Sequence, residues 1–442
     1  MSAGELVPSG SKRILITGLS TYWGGRLAQA LEQRPEIETV IGVDSKDPTR
    51  ELERTEFVRV GTEHALLRRV VMAAEIDTVV DTRLIVDSTV APARDAHENN
   101  VIGTMNILAA CSGSDSPVRK FVLKSSAHYY GAEQDDPGYF TEEMRRPHPP
   151  QTGIERDILE AERAVSDFER KNDAVRVTKL RCTHVLGPDV KTSHTKLLSL
   201  PLVPMILGFD PRYQFVHEDD VVAALAHTVH NDLPGVFNVA GDGVLAFTEV
   251  VGLLGKTYLP VLPPVGTGLA AAVARRLGIE IPPETLNLLR FGRAIDNRRL
   301  KATGFAYRYT TRETVSRLGE YLRLHPILRD AAQPYRYEEE VEEFLRWSPS
   351  VRDSGDRGQP RLNPRQLVEL QKAVVTGAPS VARFKPAIDA LGGYDDLAED
   401  ELVAMLDSLE ADQLSQLHAH ERAGAARSAV LEAIEETLAR SG

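Results

Sequence analysis

Short apolar runs rich in β-branched residues alternate with longer stretches of helical spacing along the first part of the chain. The runs predict strands and the stretches predict helices, because a strand exposes alternate residues on opposite faces, whereas a helix returns to one face every third or fourth residue. Strands are predicted at 13–17, 37–44, 57–60, 76–80 and 121–125, and helices at 23–32, 64–74 and 100–111. This alternation is typical of an α/β fold with a doubly wound parallel sheet of the Rossmann type, although another α/β fold could share it.

The pattern continues past residue 150 with less regular elements. Helices are predicted at 152–171, 221–229 and 310–324, and strands at 174–180 and 236–241. We therefore expect one domain over 12–330, with a smaller substrate lobe contributed mainly by 182–215 and 240–310. That lobe should cover the carboxyl edge of the sheet, where ligands of open α/β sheets bind.

The composition changes near residue 348. The segment 348–366 is rich in proline, arginine, aspartate, serine and glycine and has almost no apolar periodicity, which predicts a linker. The segment 367–442 returns to helical spacing and predicts a C-terminal α-helical appendage. Its leucines fit either a self-contained helical hairpin or a surface that binds a protein partner.

Composition and charge narrow the class of protein. The 442 residues are 42% hydrophobic and 26% charged, as in ordinary globular proteins, and carry a net charge of −12, which argues against nucleic-acid binding. No apolar run is long enough to cross a membrane, and residues 1–12 lack the apolar core of a secretory signal. Two cysteines, Cys111 and Cys182, cannot form a disulfide framework. We expect a cytoplasmic protein, and the sequence indicates no metal site.

A glycine loop between the first strand and the first helix is the first candidate site. Gly18 and Gly24 flank Thr21 in this loop, and glycines there let the backbone approach a pyrophosphate at a helix N-terminus. Asp44 ends the second strand, where an acid can bind the adenosine ribose hydroxyls and would repel a 2′-phosphate. The loop therefore predicts a dinucleotide site that favours NAD over NADP. A turn aspartate with no ligand is the alternative for Asp44.

Further along the chain, Ser126-Ala-His128-Tyr-Tyr130-Gly131 follows an apolar strand. Together with the glycine loop, this segment resembles the extended short-chain dehydrogenase/reductases, the NAD-dependent epimerase/dehydratase family. The similarity covers about residues 12–325. It includes the Asn100-Val-Ile-Gly103-Thr104 segment and the Phe215-Val-His-Glu-Asp-Asp220 segment.

The resemblance implies a cofactor, a substrate class and roles for individual residues. NAD would contact Gly18, Thr21, Gly24, Asp44 and Asn100, and the hydroxyl of Ser126 would hold the reacting oxygen of a nucleotide sugar or similar small molecule. Relatives in the family carry small residues where this chain has Arg83. That side chain would therefore crowd the cofactor unless it binds a phosphate itself.

The proton relay of the family is missing. Relatives use a Tyr-x-x-x-Lys pair, but none of the twelve tyrosines here has a lysine four residues later. The family alignment places Ile154 and Ile158 at the two positions, and an aliphatic side chain cannot carry a proton. Lys124, His128 and Tyr130 are further candidates close to Ser126. The alternative for each of the three is a structural role.

Two functions remain open from the sequence. The first is an NAD-dependent isomerase or oxidoreductase of this family with an altered catalytic site. The second is a non-catalytic nucleotide-binding sensor or scaffold that binds a protein partner through its C-terminal helices. RNA binding is a third alternative, which the negative charge disfavours. The resemblance also implies a homodimer.

Overall fold

The computed structural model describes residues 10–61, 63–261 and 283–325, together with His418, Leu431, Ala433 and Ile434. The chain divides into two units, Met1–Trp347 and Ser348–Gly442. Thr62, the predicted linker 348–366 and nearly all of the predicted module 367–442 lie outside the described residues. The linker and the helical module therefore stay predictions.

The strands include all seven that were predicted, with ends that differ by a few residues, and seven short ones in the described residues that were not predicted. They are β1 Arg13–Thr17, β2 Thr39–Asp44, β3 Thr55–Arg59, β4 Thr78–Asp81, β5 Lys120–Ser126, β6 Arg176–Cys182, β7 His184–Leu186, β8 Leu202–Ile206, β9 Arg212–Tyr213, β10 Phe215–His217, β11 Gly235–Val239, β12 Leu245–Ala246, β13 Thr257–Val261 and β14 Gly292–Arg293.

Helices connect these strands. They are α1 Tyr22–Glu32, α2 His64–Ala73, α3 Ala93–His97, α4 Thr104–Cys111, α5 Gly153–Lys171, α6 Ser193–Ser199, α7 Glu218–His230, α8 Phe247–Leu253, α9 Pro283–Phe291, α10 Arg298–Lys301 and α11 Thr311–Leu324. Within the described residues, none of these helices is both long and apolar enough to span a membrane.

Seven strands form one parallel sheet in the order β3-β2-β1-β4-β5-β6-β11. The chain winds outward from β1 to β3 and then returns to continue at β4 on the other side. Beyond the carboxyl ends of β1 and β4, this reversal leaves a crevice where such folds bind ligands. The α/β, doubly wound Rossmann fold expected from the sequence is confirmed.

The sheet is buried on both faces. Ile14 and Ile16 of β1 pack with α1 and α7 on one face, while Leu15 between them packs with α2, α4 and α5 on the other. Alternate residues of a strand point to opposite faces, so a strand covered on both sides needs a continuous apolar run. That requirement explains why the apolar runs of the sequence located the strands.

A smaller lobe lies at the carboxyl edge of the sheet. It contains the parallel pairs β7–β10 and β8–β13, the strand β9 between β12 and β14, and the helices α6, α8 and α9. Its own core includes Leu186, Tyr213, Phe215 and Phe247. The lobe belongs to segments that follow β6 and β11, and both strands end at that edge. It therefore covers the crevice.

The helix predicted at 100–111 begins differently from the expectation. Glu98–Gly103 form a π-helical turn, and α4 starts only at Thr104. Within that turn the side chain of Asn100 accepts a hydrogen bond from the Ile85 N–H at 2.7 Å and donates one to the Ile85 carbonyl at 2.7 Å. A π-turn places an extra residue in the helix, and here Asn100 fixes the loop after β4.

Candidate functional site

The glycine loop joins β1 to α1. Gly18 has a φ of +83°, a conformation that glycine adopts without strain. A Cβ on Gly24 would lie 2.1 Å from the Gly18 carbonyl oxygen, so the helix can start here only with a glycine. The hydroxyl of Thr21 donates to that carbonyl at 2.7 Å and accepts from the Gly24 N–H at 3.1 Å. Thr21 therefore caps α1 and supports the loop.

A first cavity of about 240 Å³ lies beside the end of β2, and we call it the Asp44 cavity. Asp44 accepts hydrogen bonds from the Ser20 N–H at 3.0 Å and the Ser20 hydroxyl at 2.6 Å. The cavity is lined by Thr17, Val43, Asp44, Ser45, Val60, Gly61, Leu67, Arg83, Asn99 and Ile107. Apolar walls with one carboxylate suit an adenosine, whose base is flat and whose ribose carries two hydroxyls.

A second cavity of about 350 Å³ lies under the lobe, and we call it the Ser126 cavity. Its wall is formed by the start of α1, the loop after β4, the ends of β5 and β6, and lobe residues of α6 and α9. The lining residues are Thr21–Trp23, Thr82–Asp87, Val90, Lys124–Ser126, His128, Cys182–Val185, Val190–His194, Glu284 and Thr285. Trp23, His184 and His194 were not predicted as site residues. A rule that the ends of parallel strands face the crevice could have found His184.

Arg83 lines both cavities. Its guanidinium pairs with the buried carboxylate of Asp81 through two nitrogens, each 3.1 Å from a carboxylate oxygen, and donates to the Asn99 side chain at 3.3 Å. A Cβ on Gly18 would lie 2.5 Å from its Cγ, and one on Gly103 would lie 2.5 Å from its Nη1. The side chain therefore lies over the glycine loop, on the path between the two cavities.

Ser126 and Lys124 lie in the wall of the Ser126 cavity, at the end of β5. Ser126 is 5% exposed and its hydroxyl accepts the His128 N–H at 3.2 Å. Lys124 is 3% exposed, and its Nζ lies 4.6 Å from the centre of the Trp23 ring. Burial lowers the pKa of Lys124, while the nearby Cys182 thiol has a smaller opposite effect. The structure brings these two predicted residues together in one cavity.

Three buried histidines form another part of that wall. The rings of His184 and His194 stack at 4.1 Å between centroids, and the His128 ring lies edge-on to His184 at 5.8 Å. Burial lowers the pKa of all three, to about 4 for His194, and the nearby Arg293 guanidinium lowers each further. These imidazoles are therefore neutral at pH 7 and act as polar, uncharged surface.

Four predicted site residues do not line either cavity. Gly18 and Gly24 form the glycine loop, and the other two are Asn100 and Tyr130. Both side-chain groups of Asn100 are used by the backbone of Ile85, so Asn100 positions the loop that carries Arg83. Tyr130 is fully buried and its hydroxyl donates to Asn238 at 2.8 Å and accepts from Arg181 at 2.9 Å. It packs against the Phe140 ring, which is the structural role weighed as its alternative.

The positions of the missing relay are filled by packing. Ile154 and Ile158 of α5 are buried against Ala96 and touch Ile85 and Val86 of the loop after β4. In the described part of the chain, no tyrosine hydroxyl lies with an ammonium beside Ser126. The phenol of Tyr22 reaches the cavity wall, but its hydroxyl accepts from Arg26 at 3.1 Å. The helix that carries the relay in relatives therefore serves here as an apolar support.

The fold is a doubly wound α/β fold of the Rossmann type, with a crevice at the carboxyl edge of its sheet. The model of the NAD dependent epimerase/dehydratase family matches residues 14–240, and the chain belongs to that family. It is 34% identical over 318 residues to an uncharacterized protein of Mycobacterium tuberculosis and, equally, to one of Mycobacterium bovis. Each alignment covers 69% of this chain and 83% of the relative.

Solved structures show the same fold at low identity. UDP-glucuronic acid 4-epimerase from Bacillus cereus, in complex with NAD, is 17% identical with a TM-score of 0.53, over 70% of this chain and 96% of that one. The dTDP-glucose 4,6-dehydratase from Bacillus anthracis, in complex with NAD, is 20% identical with a TM-score of 0.54, over 71% of this chain and 97% of that one. The UDP-glucose 4-epimerase from Thermotoga maritima, with UDP-glucose, is 18% identical with a TM-score of 0.54, over 70% of this chain and 98% of that one.

Proposed function

We propose that this chain binds NAD along the carboxyl edge of its sheet and acts on a nucleotide sugar or a similar small molecule. The observation that carries the proposal is the pair of cavities on either side of Arg83, beyond the strand ends where the chain reverses direction. Structures of the same fold hold NAD or UDP-glucose. The buried free thiols of Cys111 and Cys182 support a reducing, cytoplasmic compartment.

The residues of this chain fit the adenosine end and the pyrophosphate of the dinucleotide. Asp44 would accept hydrogen bonds from the adenosine ribose hydroxyls, and the loop from Gly18 to Gly24 would approach the pyrophosphate. Arg83 places a cation on that path, where two negative charges would lie. When bound, NAD supplies a nicotinamide that takes a hydride from a substrate carbon.

Ser126 is the residue that we propose to orient the substrate. Its hydroxyl lies in the wall of the larger cavity, close to the end of β5, and can donate to the oxygen of the reacting carbon. Cofactor and substrate would then meet between the glycine loop and the lobe. The histidine surface provides uncharged hydrogen-bonding groups for sugar hydroxyls.

A non-catalytic sensor or scaffold is the second candidate, because Ile154 and Ile158 replace the proton relay with apolar packing. The predicted C-terminal helices would be the part that binds a partner, and a homodimer stays a prediction. Deleting the residues after 348 should then remove a co-purifying partner and leave the melting temperature of the remainder unchanged. An unchanged set of partners would reject this candidate.

Fluorescence titration of NADH into the purified full chain tests the main proposal. We expect saturable binding in the micromolar range and weaker binding of NADPH, because Asp44 repels the 2′-phosphate. Absent or millimolar binding of NADH would reject the proposal. A screen of UDP- and dTDP-sugars with the NAD-loaded protein then tests for turnover.

Ser126→Ala separates binding from chemistry. We expect the variant to keep the fold and the NADH affinity, since this hydroxyl bonds only one local N–H among the described contacts, and to lose turnover by about 10²- to 10³-fold. Circular dichroism and the NADH titration are the controls. Full turnover in the variant would show that another group holds the reacting oxygen.

A further inference from the structure

Strand β5 carries two buried lysines with opposite surroundings. Lys120, at the start of the strand, donates to the carbonyls of Thr228, Val229 and Asn231 at 2.8–3.2 Å and pairs with Asp232 at 3.2 Å. Lys124, near the end, is equally buried but makes no hydrogen bond or ion pair with the described part of the chain. A buried ammonium without such partners is expensive, so the second lysine calls for an explanation.

Lys124 lies on the same side of β5 as Ser126, because residues two apart on a strand share a face. Both side chains line the Ser126 cavity. Their Cα atoms are about 7 Å apart on an extended strand, and a lysine side chain spans most of that distance. A substrate oxygen held by the Ser126 hydroxyl would therefore lie in the same cavity that Lys124 lines.

The surroundings of Lys124 keep an amine available there. From α1 it faces the Trp23 ring, and from β6 it faces the Cys182 thiol, whose pKa burial raises. The acids of the cavity wall are engaged elsewhere, since Asp87 accepts the Ser193 N–H and Glu284 accepts the Ser88 N–H, each at 2.7 Å. The other ionisable side chains in that wall are Tyr22, Arg83, His128, His184, Lys191 and His194.

We propose that Lys124 is the proton acceptor of this site and takes over the task of the missing relay. This inference rests on the proposed function. In the step, the O–H bond of the substrate hydroxyl at Ser126 breaks and its proton bonds to neutral Nζ. The electron pair of the O–H bond forms the C=O bond as the carbon gives up its hydride, so the carbon is oxidised and the nicotinamide reduced. Return of the proton and hydride reverses the step.

A group kept for chemistry at the expense of stability can be recognised without any substrate. Replacing Lys124 by methionine removes a buried amine that makes no hydrogen bond or ion pair with the described residues, and it keeps the apolar volume. We expect Lys124→Met to melt at or above the temperature of the wild type. The matched control Lys120→Met loses three hydrogen bonds and an ion pair on the same strand, and should melt at least about 2 °C lower.

The pH dependence of the same comparison has a definite sign. Since the folded chain holds the pKa of Lys124 below its ordinary value of 10.5, the unfolded chain binds the proton more tightly. The wild type should therefore gain stability relative to Lys124→Met as the pH rises toward 10.5. The proposal would be overturned if Lys124→Met melted as low as Lys120→Met and if the wild type gained no stability relative to Lys124→Met as the pH rises. Such a result would show that Lys124 has a structural role.

Labelling of the wild-type chain with formaldehyde and cyanoborohydride, read by mass spectrometry, provides the direct test. We expect the labelling rate of Lys124 to rise at a lower pH than that of the exposed Lys171 on α5, and saturating NADH to protect Lys124 but not Lys171. If NADH binds but Lys124 labels no earlier and is not protected, this inference fails alone. If NADH does not bind, the proposed function fails with it.

Turnover gives the last readout. With any sugar that the screen finds active, Lys124→Met should lower kcat by about 10²- to 10⁴-fold, with little change in KM, and remove the acid limb of the pH–rate profile. A retained kcat and an unchanged pH profile would overturn the proposal.

Discussion

Among single residues, Arg83 shapes the site more than any glycine does. It is held by a buried carboxylate on its own strand end and by Asn99 of the π-helical turn, and it lies where the two cavities meet. A buried ion pair needs extra partners to offset the desolvation of its charges. A pyrophosphate would be such a partner, because Arg83 could then bridge it to the protein.

Arg83→Ala tests this role. Losing a charge-assisted contact to the pyrophosphate should weaken NADH binding by about 10- to 100-fold. Binding of adenosine, which has no phosphate, should weaken less, although Arg83 also lines the Asp44 cavity. Titration of both ligands measures the difference. Arg83→Lys keeps the positive charge but lacks the planar guanidinium with its paired N–H donors, so its NADH affinity should lie between those of the wild type and Arg83→Ala. Tighter NADH binding by Arg83→Ala would mean instead that the side chain blocks the crevice.

At the scale of elements, α5 buries aliphatic side chains at the two positions that the family resemblance assigns to the proton relay. Ile158 is fully buried, and Ile154 is nearly so, in a cluster with the loop after β4. The remainder of the helix keeps its connections to the sheet. Glu162 accepts from Ser125 at 2.6 Å and pairs with Arg181 at 2.6 Å. In this chain, α5 therefore supports both the sheet and the loop after β4.

A lysine at position 158, which the family resemblance assigns to the relay, should destabilise the fold because Ile158 is buried among aliphatic side chains. Ile158→Lys places an ammonium among aliphatic side chains and should lower the free energy of unfolding by on the order of 3 kcal/mol or more. Urea unfolding measures the change. Glu160→Lys, on the exposed face of the same helix, should change it by less than about 1 kcal/mol. Equal stability of both variants would show that the cleft still accommodates a lysine at this position.

At the scale of the whole molecule, the sheet and the lobe are joined by buried polar contacts around the crevice. The carboxylate of Glu218, at the start of α7, accepts the N–H groups of Asp189 and Val190 at 3.3 and 2.7 Å and interacts with Tyr22 of α1. Burial and, to a smaller degree, Asp189 raise the pKa of Glu218 to about 7. The contact between α1 and the lobe segment is therefore sensitive to pH.

The sign of that effect can be predicted. The folded chain keeps the Glu218 proton up to about pH 7, whereas the unfolded chain releases it near 4.5, so stability falls as the pH rises between these values. Between these pH values, the free energy of unfolding of the wild type should fall by a few kcal/mol relative to that of Glu218→Gln. Unfolding at several pH values gives the difference. The control Glu320→Gln, at an exposed position, should differ from the wild type by the same amount at every pH. A difference between the wild type and Glu218→Gln that does not change with pH would contradict the prediction.

The fold was predictable because burial on both faces forces long apolar runs on the strands. Loops that depend on tertiary contacts were less accessible to prediction. The helix predicted at 100–111 begins as a π-turn because Asn100 binds Ile85, a contact between segments that are not adjacent in sequence. The position of His184 after β6 could have indicated that it faces the crevice, but its stacking on His194 had no local signal because that contact depends on how the lobe folds back.

The sequence by itself determined the parallel sheet, the glycine loop with Asp44, the serine that ends β5 and the loss of the Tyr-x-x-x-Lys pair. Each depends on periodicity or on residues that are close together in the chain. Only the tertiary structure shows where the candidates near Ser126 lie. It buries Tyr130 in hydrogen bonds away from the cavities and leaves Lys124 in the cavity wall without an ion pair among the described residues. The reason is physical: the partners of a buried polar group come from distant segments, so only the folded chain shows which group is satisfied and which faces the site.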